Sequence, residues 1–96
     1  MAVNISLLSD THGHIDDQML RHVDGSDEVW HAGDIGSLAV TEALSNVAHC
    51  RAVYGNIDSQ DIRLTWPEHA RFDVGGARVW MTHIGGRPPK YARGIL

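Results

Sequence analysis

Only one cysteine, Cys50, occurs among the 96 residues. No internal disulfide framework can form, and a reducing compartment is the natural setting. No apolar run approaches the ~20 residues that a bilayer-spanning helix requires, so no membrane partner is expected. The opening Met1-Ala2-Val3-Asn4 lacks a positively charged region and passes at once into a strand pattern. No signal peptide is expected on these grounds, and the expected location is cytoplasmic. Basic residues are few: 8 Lys and Arg against 12 Asp and Glu, for a net charge of -4 and a pI near 5.9. Without a Lys/Arg cluster, nucleic-acid binding is not indicated. There is no Gly-x-Gly-x-x-Gly or Walker signature, which leaves a Rossmann-like phosphate-binding domain a distant third choice. Internal repeats, low-complexity stretches and linkers are also missing. The chain therefore reads as a single domain, 1–96.

What the sequence does hold is histidine, 7 residues of it, beside 12 carboxylates. That is raw material for a metal site, provided position brings the groups together.

Asn4–Ser9 is a short, mainly apolar run that predicts a buried strand. Ile15, Met19, Leu20 and Val23 recur at helical spacing, with Asp16 and Asp17 where a helix start favours negative charge and Asp24-Gly25 as the stop. Residues 28–32 predict a second strand. Ser37 is placed to cap a helix whose apolar face is Val40, Ala43, Leu44 and Val47. Residues 51–54 predict a third strand. Strand, helix, strand, helix, strand is an α/β pattern, βαβαβ, and implies parallel strands. Gly75-Gly76 then separates two runs with apolar residues at period two, Phe72 and Val74 before it and Val79 and Met81 after it, which predicts a β-hairpin. Between Asn56 and Glu68 an irregular loop with at most one short helical turn is expected. Trp30 and Trp80 are expected in the core. Arg87, Lys90 and Arg93 read as a solvated basic tail.

Polar clusters follow four of these strands: Asp10-Thr11-His12, Gly33-Asp34, Gly55-Asn56-Ile57-Asp58, and His83. Functional residues of open α/β sheets gather beyond the carboxyl ends of their strands. For His83 to join the others, the second hairpin strand is expected to run parallel to the first three. Asp10 and His12 stand two apart, so in an extended segment both side chains leave on one face and can share a metal. Asp34 offers two oxygens that can bridge two ions; Asn56 offers an amide oxygen and His83 an imidazole nitrogen. Such a mixed donor set suits Mn, Fe, Zn or a similar divalent ion. Glycines 13, 33, 55 and 85 permit tight turns beside these donors. Thr11 and Ser9 are candidates for supporting hydrogen bonds. His31 is expected to pack near the site without touching metal, and Asp58 to orient a ligand histidine from behind.

In order along the chain, Ser9-Asp10-Thr11-His12-Gly13, Gly33-Asp34, Gly55-Asn56-x-Asp58 and Thr82-His83 resemble the calcineurin-like metallophosphoesterases, in particular their small bacterial and archaeal phosphodiesterase branch. The resemblance runs the length of the chain. It implies a partial β-sandwich flanked by helices. It also implies two divalent ions, Mn foremost with Fe, Zn, Ni or Mg as alternatives. Asp10 and His12 would hold the first ion, Asp34 would bridge, and Asn56 and His83 would hold the second. Asp34 and Asn56 are the residues it places closest to catalysis. The implied reaction is hydrolysis of a small phosphoester by a hydroxide that two metals activate. The sequence departs from the family twice. The Gly-His-x-His motif that completes the metal shells is absent, so the chain is expected to be a truncated domain that associates with another copy or with a missing C-terminal segment. Ile57 stands where the protein-phosphatase relatives carry a histidine acid. A catalytically incompetent remnant that binds metal, phosphate or a partner is the competing expectation.

Overall fold

The structure, a computed structural model, describes residues 3–83 and, for the backbone alone, 90–95. Gly85 and Arg87 lie outside the described residues. β1 (Asn4–Ser9), β2 (Glu28–His31) and β3 (His49–Ala52) are parallel neighbours with β1 in register against β2 and β2 against β3. Two helices, α1 (Asp17–Val23) and α2 (Leu38–Ser45), connect them. The cap predicted at Ser37 forms, and Asp16, expected only as favourable charge at the helix start, acts as a cap as well. An oxygen of Asp16 accepts from the Met19 amide at 2.8 Å, and Ser37 accepts from the Ala39 amide at 3.2 Å. Each satisfies a helix-start donor that has no partner within its own helix.

The residues of one sheet face, Leu8, Val29 and Ala52, pack with Val23 of α1 and with Val40 and Leu44 of α2. All are fully or almost fully buried, and each Val or Leu side chain contributes about 1.5–3 kcal/mol by leaving water. Ile62 joins this core from α3 (Gln60–Thr65), a helix longer than the single turn expected for that connection. Burial of Ile62 anchors α3 against the sheet, a tertiary contact that the polar local sequence does not advertise.

Hairpin strands β4 (His69–Val74) and β5 (Ala77–Thr82) form a separate two-stranded antiparallel sheet. Gly75 and Gly76 both have positive φ, 56° and 82°, as a two-residue turn of this hand requires. β5 therefore does not extend the first sheet as a parallel strand. The hairpin instead covers that sheet's other face: Phe72 meets Trp30 edge to face at 5.0 Å, and the Arg51 guanidinium lies 4.2 Å from the Phe72 ring. A sandwich results, with helices on one side of the larger sheet and the hairpin on the other. Trp80 is 61% exposed rather than in the core. With Phe72 and Val79 paired and facing inward, alternation turns Trp80 out, where Arg71 lies over its ring.

β6 (Lys90–Ile95) pairs antiparallel with the whole of β1, giving the order β3-β2-β1-β6. The expected basic tail is thus a strand at Lys90 and Arg93, and the chain itself covers that edge of the sheet.

Candidate metal centre

Asp10, Asp34 and His83 come together just beyond β1, β2 and β5, with one ligand atom from each lying within 4.8 Å of the others. Local backbone, rather than strand alternation, does the aiming. β1 ends at Ser9, and Asp10, His12 and Asp34 all adopt left-handed conformations, with φ of 57°, 52° and 55°. Asp10 and His12 therefore converge through a tight turn and not through an extended segment. A non-glycine residue in this region is uncommon and costs about 1–3 kcal/mol, so the surroundings must hold it there. Those surroundings are the facing loop. Amides of Asp10, His12 and Gly13 donate to the carbonyls of Gly33, Asp34 and Ile35.

Two polar side chains reinforce this pairing. The Gly33 amide donates to Nδ1 of the fully buried His31 at 3.1 Å, so the ring hydrogen resides on Nε2, which faces the Thr11 hydroxyl at 2.9 Å. Thr11 in turn donates to the Ile35 carbonyl at 3.0 Å. Burial holds the His31 pKa down at about 4, against the pull of Asp58 and Asp34. His31 is thus a neutral strut between the two loops and does not reach the carboxylate cluster, as expected from its place within a strand.

Asp58 acts differently from the expectation. Its carboxylate accepts from the amides of Ile35 at 3.0 Å, Gly36 at 2.7 Å and Gly55 at 2.8 Å. It orients backbone rather than a histidine, and it ties the loop after β2 to the turn after β3. That turn also reaches Asp34, whose Oδ1 accepts from the Ile57 amide at 3.2 Å. A side chain at Gly55 would collide with this same carboxylate.

His83 arrives from the second sheet. Its Nδ1 lies 2.7 Å from the Ala32 carbonyl, which can only accept, so Nδ1 donates and Nε2 turns to the carboxylates. Nε2 is 3.3 Å from Asp34 Oδ2 and 4.0 Å from Asp10 Oδ1. His12, nearly half exposed, approaches the same two oxygens from elsewhere, at 3.8 Å and 3.9 Å.

Both Asp10 Oδ1 and His83 Nε2 are buried without a hydrogen-bond partner among the described residues. Leaving such atoms unpaired costs about 1–3 kcal/mol each, more for charged groups, unless something else satisfies them. Donor–donor gaps of 3.3–4.0 Å are those of atoms sharing one cation ~2.0–2.2 Å away. A histidine that donates its other ring hydrogen to a carbonyl is also the usual form of an imidazole metal ligand. The residues present fit a divalent cation.

Residues 3–95 match the calcineurin-like phosphoesterase superfamily domain. The chain belongs to that family. Solved structures agree on the fold. A conserved uncharacterized protein from Streptococcus pneumoniae, described as a predicted phosphoesterase, superposes with a TM-score of 0.62 at 26% identity, over 86% of this chain and 46% of that one. A Vps29 single mutant from Entamoeba histolytica gives 0.67 at 14% identity, over 83% of this chain and 47% of its own length. Vps29 from Chaetomium thermophilum gives 0.66 at 15%, over 81% and 45%. At those identities the two Vps29 structures speak for the fold alone. The calcineurin-like chain spans slightly less than half of each solved relative. No match emerged among curated proteins.

Within this family member, Asn56 is exposed and lines a small pocket of about 140 Å³ with Gly55 and His83, beside the cluster. His14 pairs instead with Asp16 at 3.4 Å, at the start of α1. Sequence reading missed Arg63 and Tyr54, which line the Asn56 pocket. The available signal was position: Arg63 follows Ile62 on a helix that starts just after the Asn56–Asp58 turn.

Proposed function

We propose that this chain supplies the metal-binding half of a hydrolase for phosphoesters, whether mono- or diesters. The observation that carries the reading is the buried, unpartnered pair Asp10 Oδ1 and His83 Nε2 meeting at Asp34. Asp10, His12, Asp34, Asn56 and His83 would hold divalent cations, two by family resemblance and manganese foremost. When bound, such cations offer positive charge to phosphoryl oxygens and lower the pKa of a water from 15.7 toward ~7.

The chain's own residues do the rest. His83 is fixed by its hydrogen bond to Ala32, and Asp34 by the Ile57 amide on Oδ1, leaving Oδ2 toward both histidines. This arrangement supports a bridging role for Asp34. Asn56, exposed and lining the pocket, would meet a phosphoryl oxygen with its amide. Ile57 is 51% exposed and carries no transferable proton, so the leaving group departs with little protonation or takes its proton from elsewhere. Cytoplasmic location belongs to this proposal; among the described residues no helix is long and apolar enough to cross a membrane.

The test is Mn content by elemental analysis, with Mn-stimulated hydrolysis of bis(p-nitrophenyl) phosphate, for this chain and for one extended downstream. Asp34→Asn should abolish hydrolysis by the extended protein and cut Mn content at least tenfold, since even outer supports of a metal site are worth 10–100-fold. Activity that survives this change sinks the bridging role. A second reading, a metal- or phosphate-binding interaction module, draws on the chain's covering under half of its relatives. Mn uptake without hydrolysis in both forms would favour it.

A further inference from the structure

Phosphate recognition needs a cation, and the centre of this site is rich in carboxylates. Among the described residues that line the pocket between Asn56 and His83, one permanent cation is present, Arg63. We propose that Arg63 is the anion-binding residue of this site, gripping the non-reacting oxygens of a phosphoryl group; the idea rests on the phosphoesterase reading above.

The guanidinium is held as a recognition group would be. Its Nε donates to the Asp58 carbonyl at 2.8 Å and one Nη2 hydrogen points to the Asn56 carbonyl at 3.4 Å. Its carbon lies 4.6 Å from the centre of the Tyr54 ring. These contacts restrain a long side chain before any ligand arrives, which cuts the entropy lost on binding. They use neutral acceptors only. Among the described residues no carboxylate lies within ion-pair distance of Arg63. Glu68, which also lines the pocket, has an oxygen 4.0 Å from His69 Nε2. Arg63 thus has no direct ion-pair partner among the described residues, and guanidinium N–H groups remain for a ligand. A planar fork of donors matches two phosphoryl oxygens better than the point charge of lysine does.

Tethering to the Asn56 and Asp58 carbonyls also fixes Arg63 to the turn that bears Asn56. A phosphate in the pocket would thus meet an amide and a guanidinium whose spacing the backbone sets.

The experiment is calorimetric titration of inorganic phosphate into wild type, Arg63→Gln and Arg63→Lys, each with and without Mn, beside Mn content and thermal melts. Loss of one charge-assisted contact predicts 10- to 100-fold weaker phosphate binding in Arg63→Gln, with Mn content unchanged. Arg63→Lys, which keeps the charge and loses the fork, should fall between. Equal phosphate affinity in wild type and Arg63→Gln overturns the proposal, as does a wild type that binds no phosphate in either condition. A purely structural strut would lower the melting temperature and leave the phosphate affinity of the folded protein unchanged. Absence of Mn from the wild type refutes the metal reading alone, because the metal-free titration still decides the role of Arg63.

Discussion

The loops after β1 and β2 hold Asp10, His12 and Asp34 on backbone that is hydrogen-bonded loop to loop, braced by His31, Thr11 and Asp58. Among the described residues the hairpin delivers His83 with one side-chain hydrogen bond, to Ala32, and docks through Trp30, Arg51 and Phe72. One half of the site is wired; the other is leaned against it. The difference teaches where preorganisation resides. Left-handed residues stay in place only when several contacts over-determine them. A strand-end histidine needs no such strain and can be positioned by packing. Disturbing the wired half should therefore cost folding stability and metal together, whereas a change on the hairpin side should cost metal only where it moves His83.

Asp58→Ala is the most damaging way to test the wired half. The side chain is 4% exposed and satisfies three amides from two loops. Removing it strands donors worth about 1–3 kcal/mol each, so a loss of about 3–5 kcal/mol in urea unfolding is expected, with Mn uptake falling as the loops part. Near-wild-type stability would mean that the loops hold each other without the clamp.

A somewhat smaller effect comes from pH through His31. The folded protein keeps this ring neutral down to about pH 4, against an ordinary value of 6.5, chiefly because it is buried. Below pH 6.5 the unfolded chain binds a proton that the folded chain refuses, so stability is fully present above 6.5 and falls as pH drops toward 4. A gap of this size is worth about 3 kcal/mol. Urea midpoints measured between pH 7 and pH 4 should show the decline, and His31→Gln should flatten it. An unchanged slope in His31→Gln would assign the decline to the carboxylates.

Legibility in the sequence divided along the same line. The cap at Ser37, the helix-start charge at Asp16, the parallel strands and the Gly75-Gly76 turn were readable because each is a local preference with a local signature. The set Asp10, Asp34 and His83 was readable from order and strand context, but the mechanism of convergence was not. An extended Asp10–His12 segment was expected, and left-handed backbone serves instead, because the facing loop's carbonyls supply what no local propensity encodes. β5 was placed in the wrong sheet, since period-two alternation fixes which face a strand buries and not which sheet it joins. Trp80 follows the same logic: the alternation that put Phe72 and Val79 inward already turned it outward. Arg63 went unnoticed because a lone arginine on a short helix acquires meaning only when tertiary packing sets it over Tyr54 and beside Asn56.

The smallest effect separates the two halves most cleanly, by comparing alanine at two glycines. Gly76, in the hairpin turn with φ of 82°, has nothing within 4 Å of where a side chain would start. Gly76→Ala should cost only left-handed strain, about 1 kcal/mol, and leave Mn uptake alone. Gly33 has φ of 106°, and a Cβ there would meet Nδ1, Cγ and Cβ of His83 at 2.5, 2.6 and 2.7 Å. Gly33→Ala should cost about 2 kcal/mol, since the strain is joined by a clash that displaces His83 from the Ala32 carbonyl. The hairpin can yield more easily than the braced loops, so His83 is the partner that moves. Thermal melts should then show about twice the loss in Gly33→Ala, while Mn affinity drops at least tenfold only in that variant. Equal Mn uptake in both would mean that His83 finds another path to the carboxylates, and that the hairpin is less tightly placed than its packing against Trp30 suggests.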